Sequence, residues 1–149
     1  MKMEWMFLPF RRFADFSGRS RRMEYWMFAL LNILVAFAFV MVAILVGGGL
    51  SAIGQMERGA GAGLIVLAPF GLYYVAILIP SLAVQVRRLH DRDMSGWWLL
   101  LFYVLSLIPV VGFFASIALL VLAFLPGTEG DNRFGPDPKN PQGPLNVFD

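Results

Sequence analysis

The most distinctive polar residues of this chain of 149 residues gather in three short stretches. Arg19, Arg22 and Glu24 stand in the first, Arg87, Arg88, His90 and Asp91 in the second, and Asp131, Asn132, Arg133 and Asp137 in the third. His90 is the single histidine, and cysteine is absent. That excludes thiolate metal sites, iron–sulfur clusters, disulfide scaffolds, thiol nucleophiles and any site built from several imidazoles. His90 and Asp91 are neighbours in sequence, hence about 100° apart on a helix, and cannot form an orienting dyad there. A metal at His90 would have to draw on Asp91, Asp93 or the tail carboxylates. An EF-hand count begun at Glu129 puts Arg133 at the fifth position, where an oxygen ligand is required. No nucleophile stands with a base in an activating arrangement. The expectation is therefore a protein that is not an enzyme and holds no metal and no cofactor, with His90 as a hydrogen-bonded structural residue.

What remains is arginine chemistry. Guanidinium groups present a planar fork of donors to carboxylates and phosphates, which lysine cannot. Glu24 falls where a long apolar run begins, and a lone carboxylate at a membrane mouth is costly unless paired. The Arg87/Arg88 pair is its nearest candidate by topology. Within the second stretch, Arg88 and Asp91 are three apart and Arg87 and Asp91 four apart, compatible with pairing on a helix. In the first, Arg22 and Trp26 share a helical face, suited to a cation–π contact. The tail loop carries Asp131 and Asp137 among turn-forming glycines and prolines, and is expected to fold beneath the helices with its acids against the arginines. Exposed pairs contribute only about 0–1 kcal/mol each, so a fixed cluster requires partial burial and several bonds per guanidinium.

The elements that must position these groups are apolar. The chain is 58% apolar and 15% charged, against about 45–50% and about 25% for an ordinary soluble domain. Residues 25–46 contain one polar side chain, Asn32. As a helix they would run about 33 Å, matching a hydrocarbon core of about 30 Å. Residues 47–61 are glycine-rich and carry Glu57 and Arg58, reading as a flexible loop. A second span follows at about 62–86, with Pro69 and Pro80 expected to kink it. Residues 97–125 would make about 43 Å of helix, too long for one upright span. With residues 108–112 as the turn, they read as a short Pro-broken hairpin of two arms, 97–108 and 112–125; a single tilted, kinked span is the competing reading. The fold class expected is all-α, a polytopic helical membrane protein of two full spans plus that hairpin, with 1–138 as one membrane domain and 139–149 as a flexible tail.

Residues 1–24 carry Lys2, Arg11, Arg12, Arg19, Arg21 and Arg22 against Glu4, Asp15 and Glu24, a net of +3. The tail from Pro126 carries Arg133 and Lys139 against Glu129, Asp131, Asp137 and Asp149, a net of −2. Six basic residues before the first span, one in the first loop and three in the second place both termini in the cytoplasm if the hairpin forms. No signal peptide is expected ahead of the first span. Residues 1–19 mix Trp5, Phe7, Leu8, Phe10, Phe13 and Phe16 with basic residues and suit the headgroup layer, with Pro9 expected to break any regular helix.

The three polar stretches, FSGRSRRMEYW at 16–26, VRRLHDRDMSGWW at 86–98 and LPGTEGDNRFGPDP at 125–138, together resemble the bacterial membrane family catalogued as domain of unknown function 805 (DUF 805). The resemblance rests on Phe16, Gly18, Arg19, Arg22, Glu24, Tyr25 and Trp26, on Arg87 to Asp91 with Ser95 to Trp98, and on Pro126, Gly127, Gly130 and Asn132 to Pro136 with Pro138. It implies a small polytopic protein of the bacterial inner membrane whose activity the family name itself leaves undefined.

Two functions from different classes fit these residues. The first is a non-enzymatic membrane protein whose Arg/Asp/Glu cluster organises the helix ends and binds anionic lipid headgroups or a partner protein. The alternative is a subunit of a homo-oligomeric channel or transporter, although the spans hold no ionisable group of the kind that pumps require. Membrane lipids and a protein partner or second copy are the expected partners, and no nucleic acid, since the positive charge follows membrane boundaries.

Overall fold

The computed structural model describes residues 3–51 and 56–140, with side chains described outside 46–67. The described residues form five helices and no strand: α1 (Glu4–Arg11), α2 (Arg22–Ser51), α3 (Met56–His90), α4 (Trp97–Ser106) and α5 (Pro109–Phe124). Within α2 and α3, Arg22–Leu45 and Ala68–His90, of 24 and 23 residues, are long and apolar enough to cross a membrane.

Along α2, Leu30, Ile33, Leu34, Phe37, Val42 and Leu45 are all exposed. They cover about half of the helix circumference, which only a hydrocarbon surround tolerates. The remaining face meets α3. Asn32, the single polar side chain of the apolar run, accepts a hydrogen bond from Tyr73 at 2.8 Å and donates to its own helix at Phe28 O, 2.7 Å away. Two aromatic rings, Phe39 and Phe70, meet beyond it with centroids 5.0 Å apart. The glycine-rich segment is shorter as a connection than its composition suggests: α2 continues through Gly47–Gly49 to Ser51 and α3 begins at Met56, leaving 52–55 outside the described residues. Glycine weakens a helix by about 1 kcal/mol, less than the cost of freeing unpaired backbone groups in hydrocarbon.

The third apolar segment is a hairpin. The turn lies at Leu107 and Ile108, one step earlier than expected, because Pro109 opens α5 instead of sitting in the bend. Proline suits the first helical position, where its missing N–H would have no partner. It also forces the preceding residue out of the helical region, and Ile108 is extended, at φ −93° and ψ 118°. The arms are 10 and 16 residues, about 15 and 24 Å of helix, and α5 returns the chain to the end from which α4 departs. There Trp26 of α2 packs on Phe124 with ring centroids 4.2 Å apart.

Pro9 does not break α1. It is buried inside the helix, where it removes a single internal hydrogen bond. Packing of α1 on α2, with Phe10 edge-on to Phe28 at 5.4 Å, holds the short helix in place. The buried apolar residues gather toward this end of the molecule: Met27 and Phe28 on α2, Ala83, Val84 and Leu89 on α3, Leu99 on α4 and Ala123 on α5. Small residues among them let backbones approach closely, the usual way helices associate in lipid.

Gly112 is where the hairpin arms come closest. A Cβ built there would lie 2.5 Å from the Ser106 carbonyl oxygen. Gly112→Ala is expected to destabilise the folded protein in detergent by about 1–3 kcal/mol, as overpacking does, read as a lowered Tm; an unchanged Tm would show that the arms do not meet in this way.

Candidate functional site: a buried arginine cluster at the end of the spans

The most completely buried side chains of the molecule include ionic ones. Arg87 is 0% exposed and Glu24 2%. They pair at 2.7 Å through Arg87 Nη2 and Glu24 Oε1. The other carboxylate oxygen of Glu24 accepts from the Ser20 hydroxyl at 2.8 Å, and the Ser20 amide donates to Arg87 O at 3.1 Å. α2 and α3 are thus tied at their ends by one ion pair and a serine that bonds to both partners. The remaining reach of Arg87 goes to the segment between α1 and α2, where Nη1 donates to the carbonyl of Asp15 and, at 3.4 Å, to that of Arg12. Those carbonyls are presented by a turn in which the Asp15 carboxylate accepts from the Ser17 hydroxyl and from Arg12 Nε, 2.5 and 2.8 Å away. The Ser17 hydrogen bond chiefly, with Arg12 beside it, lowers the Asp15 carboxyl to about 2, so the turn carries its charge throughout the physiological range.

A second node is Asp91. Its Oδ1 accepts from Arg19 Nε at 2.9 Å, and its Oδ2 accepts from Arg88 one helical turn back. Arg88 pairs with Asp91 and Arg87 with Glu24, so the two neighbouring arginines serve different nodes. Arg19, Arg88 and Asp91 are all buried. Both nodes lie at the end of α3 because that helix does not stop at the last apolar residue near 86, as hydropathy suggests. It continues to His90 and closes with Asp93 N bonded to His90 O and Met94 N to Leu89 O, both at 3.0 Å. Asp93 takes the left-handed conformation this closure needs, at φ 57°.

The tail loop then answers further donors of Arg19, Arg21, Arg88 and Arg92, although the buried Nε atoms of Arg87 and Arg92 have no hydrogen-bond partner among the described residues, and here the expectation is corrected. Carbonyl groups of the tail, rather than its carboxylates, meet the arginines. Arg19 donates to Thr128 O and Gly130 O, each at 2.5 Å. Arg88 donates to Ala123 O at 3.3 Å and to Leu125 O, Arg92 to Pro126 O at 2.8 Å, and Arg21 to Pro138 O. Asp131 and Asp137 close the loop upon itself instead: Asp131 Oδ1 accepts the Asp137 amide at 3.0 Å, and Asp137 accepts the amides of Lys139 and Gly130 at 2.8 and 3.3 Å. The amide bonds, that of Lys139 first, hold the Asp137 carboxyl below its ordinary value. The physical reason is economy of burial, since a carbonyl satisfies a guanidinium N–H without bringing a further charge out of water.

Three more contacts seat the loop. Thr128 N donates to Asp91 O at 2.8 Å, and Asn132 Nδ2 donates to His90 O at 2.9 Å. The His90 ring lies flat on Phe134, centroids 3.9 Å apart and planes 3° apart, with Nδ1 3.2 Å from Gly18 O. Gly18 has φ +73°, a conformation open to glycine. At the rim, exposed Arg133 pairs with Asp93 at 3.1 Å, and Arg22 reaches Phe124 O at 3.3 Å. The expected contact of Arg22 with Trp26 is replaced: Arg21 stacks over Trp5, 5.6 Å from the ring centroid, and Trp26 is occupied by Phe124. Ser20, Thr128 and the turn at Asp15 were not singled out from sequence, and for Ser20 the available signal was its spacing of four from Glu24. Among the described residues no three His, Asp or Glu side chains converge as a metal site.

Fold and site together define a polytopic helical membrane protein whose polar end is a closed network of buried arginines. The chain belongs to the family described as protein of unknown function (DUF805), whose model matches residues 13–136. It is 39% identical to inner membrane protein YhaH of Escherichia coli strain K12 over 92% of this chain and 98% of that one. It is 37% identical to inner membrane protein YhaI of the same strain over 92% and 97%, and 27% identical to the uncharacterized protein YiiR over 90% and 88%. No solved structure matches it.

Removing one partner of a buried ion pair strands the other. Arg87→Ala is expected to cost about 3–5 kcal/mol and Glu24→Ala a similar amount, whereas the double variant Arg87→Met with Glu24→Leu should recover most of the loss. Chemical denaturation in mixed micelles measures all three, and additive losses in the double variant would show that the two residues are not coupled.

Proposed function

We propose that this chain is a non-enzymatic, multi-pass inner membrane protein with both termini in the cytoplasm. In this reading the buried cluster locks the N-terminal segment and the tail loop onto the ends of the spans, and the outer arginines meet anionic lipid headgroups. The observation that carries it is the division of labour among the arginines. Arg19, Arg87 and Arg88 are buried and directed to protein carboxylates and carbonyls, so they act as structural ties. Arg11 and Arg22 are exposed at the same end, Arg11 within the aromatic-rich α1, which has the composition of a segment lying among headgroups. Each exposed basic residue near an anionic surface contributes about 1 kcal/mol, falling with salt.

Orientation is supported by the positive charge at this end. A fluorescent protein and alkaline phosphatase fused in parallel after Asp149 are expected to give fluorescence without phosphatase activity; the opposite pattern would place the whole polar end outside the cytoplasm.

For the lipid role, the purified full chain reconstituted with spin-labelled lipids should select phosphatidylglycerol over phosphatidylcholine. Arg11→Ala and Arg22→Ala should each weaken that selection by about fivefold at low salt. Equal association of the two lipids with the native protein would remove headgroup binding from the proposal while leaving the structural lock intact.

A further inference from the structure

We infer that a lateral groove beside the cluster binds one glycerophospholipid, an acyl chain lying between α3 and α4 and a hydroxyl-bearing anionic headgroup reaching His90 and Ser95. This deepens the proposed lipid role and rests on it. The groove has a volume of about 640 Å³, within the range of about 300–1,000 Å³ usual for small-molecule sites. Its walls are Leu82 and Val86 of α3 and Leu99 and Leu100 of α4, with Phe16 and the 76% exposed Trp97 also lining it. In a bilayer such a groove cannot stay empty without forfeiting dispersion contacts, and water finds too few partners along apolar walls. Hydrocarbon is the occupant its chemistry admits.

The polar lining residues specify the headgroup. His90 Nδ1 faces the Gly18 carbonyl at 3.2 Å, and a carbonyl can only accept, so the proton of the neutral ring sits on Nδ1 and Nε2 is an acceptor. The flat stack on Phe134 fixes the ring plane. His90 and Gly96 both line the groove, and a Cβ built on Gly96 would lie 3.5 Å from Nε2, which places that nitrogen on the groove side. An acceptor there calls for a hydrogen-bond donor on the ligand, either a hydroxyl or an ammonium. Charge decides between them. Residues 3–24, 87–93 and 126–140, which form this polar end, carry ten basic side chains against eight acidic ones, and the surplus positive charge favours a phosphodiester without a compensating ammonium. The combination is a glycerol-type headgroup, with the Ser95 hydroxyl available as a second partner.

Native mass spectrometry of the full chain in mild detergent tests this with phosphatidylglycerol, phosphatidic acid, phosphatidylethanolamine and phosphatidylcholine as probes. One phosphatidylglycerol should be retained about tenfold more strongly than the other three. Leu100→Trp, which fills the groove, should lower retention by about tenfold. His90→Phe, which keeps the stack on Phe134, should abolish the preference for phosphatidylglycerol over phosphatidic acid. Unchanged retention in Leu100→Trp, or an unchanged preference in His90→Phe, overturns the inference. Should Leu100→Trp fail to fold, native protein decides: brominated phosphatidylcholine quenches tryptophan fluorescence, and unbrominated phosphatidylglycerol must restore it at about one-tenth the concentration that unbrominated phosphatidylcholine needs. Equal concentrations overturn the proposal. Loss of selectivity in Arg11→Ala and Arg22→Ala without any effect of the groove variants would leave the rim role standing and the groove refuted. The reverse pattern would refute the rim and keep the groove.

Discussion

A guanidinium group taken out of water must find a hydrogen-bond acceptor for nearly every donor it carries, and Arg87 imposes that demand on the whole polar end. Its Nη atoms are answered by Glu24 from α2 and by carbonyls from the segment ahead of α2. Arg19 and Arg88 extend the same demand to Asp91 and to the tail. Three stretches distant in sequence are thereby held at one place without a large apolar core. In water such a network would add little, because buried ion pairs cost about what they return. Between helices in lipid the hydrophobic effect no longer drives association, and polar ties together with close packing of small residues take its place.

Much of the architecture was legible because hydropathy and proline placement are local signals. The apolar run after Tyr25 could not be soluble, and the length of 97–125 with Pro109 inside it pointed to a hairpin. The exact bend was not legible. Pro109 serves equally as a turn residue or as a helix start, and the choice depends on how closely Gly112 approaches Ser106, a tertiary fact. Pro9 misled for the opposite reason, since packing on Phe28 outweighs the one hydrogen bond it removes.

The cluster was legible in its residue types and partly in its partners. A lone carboxylate at Glu24 and two arginines near the far end of the next span suggested each other by topology alone. The role of the tail was harder to see, because carbonyl groups belong to every residue and leave no trace in composition. Asp131 and Asp137 drew attention as charges, yet they stiffen the loop that carries the useful carbonyls of Thr128 and Gly130. The chain belongs to the DUF805 family and is similar to proteins named for the inner membrane, and the geometry supplies the physical reason why its three separated polar stretches act as one unit.

Gly127 carries a consequence for how the molecule is made. A Cβ built on it would run into the Asp91 carboxylate, so the strand of chain leaving α5 lies directly against that node. Ribosomes deliver this glycine, Thr128 and Gly130 after the five described helices have been synthesised. Until then Arg19 and Arg88 must wait at the lipid boundary with part of their valence open, and a nascent chain halted before residue 126 has no means of closing its polar end. Closure of the polar end therefore waits on the tail loop, and products terminated before residue 126 carry an unfinished ionic surface by which they differ from the longer form.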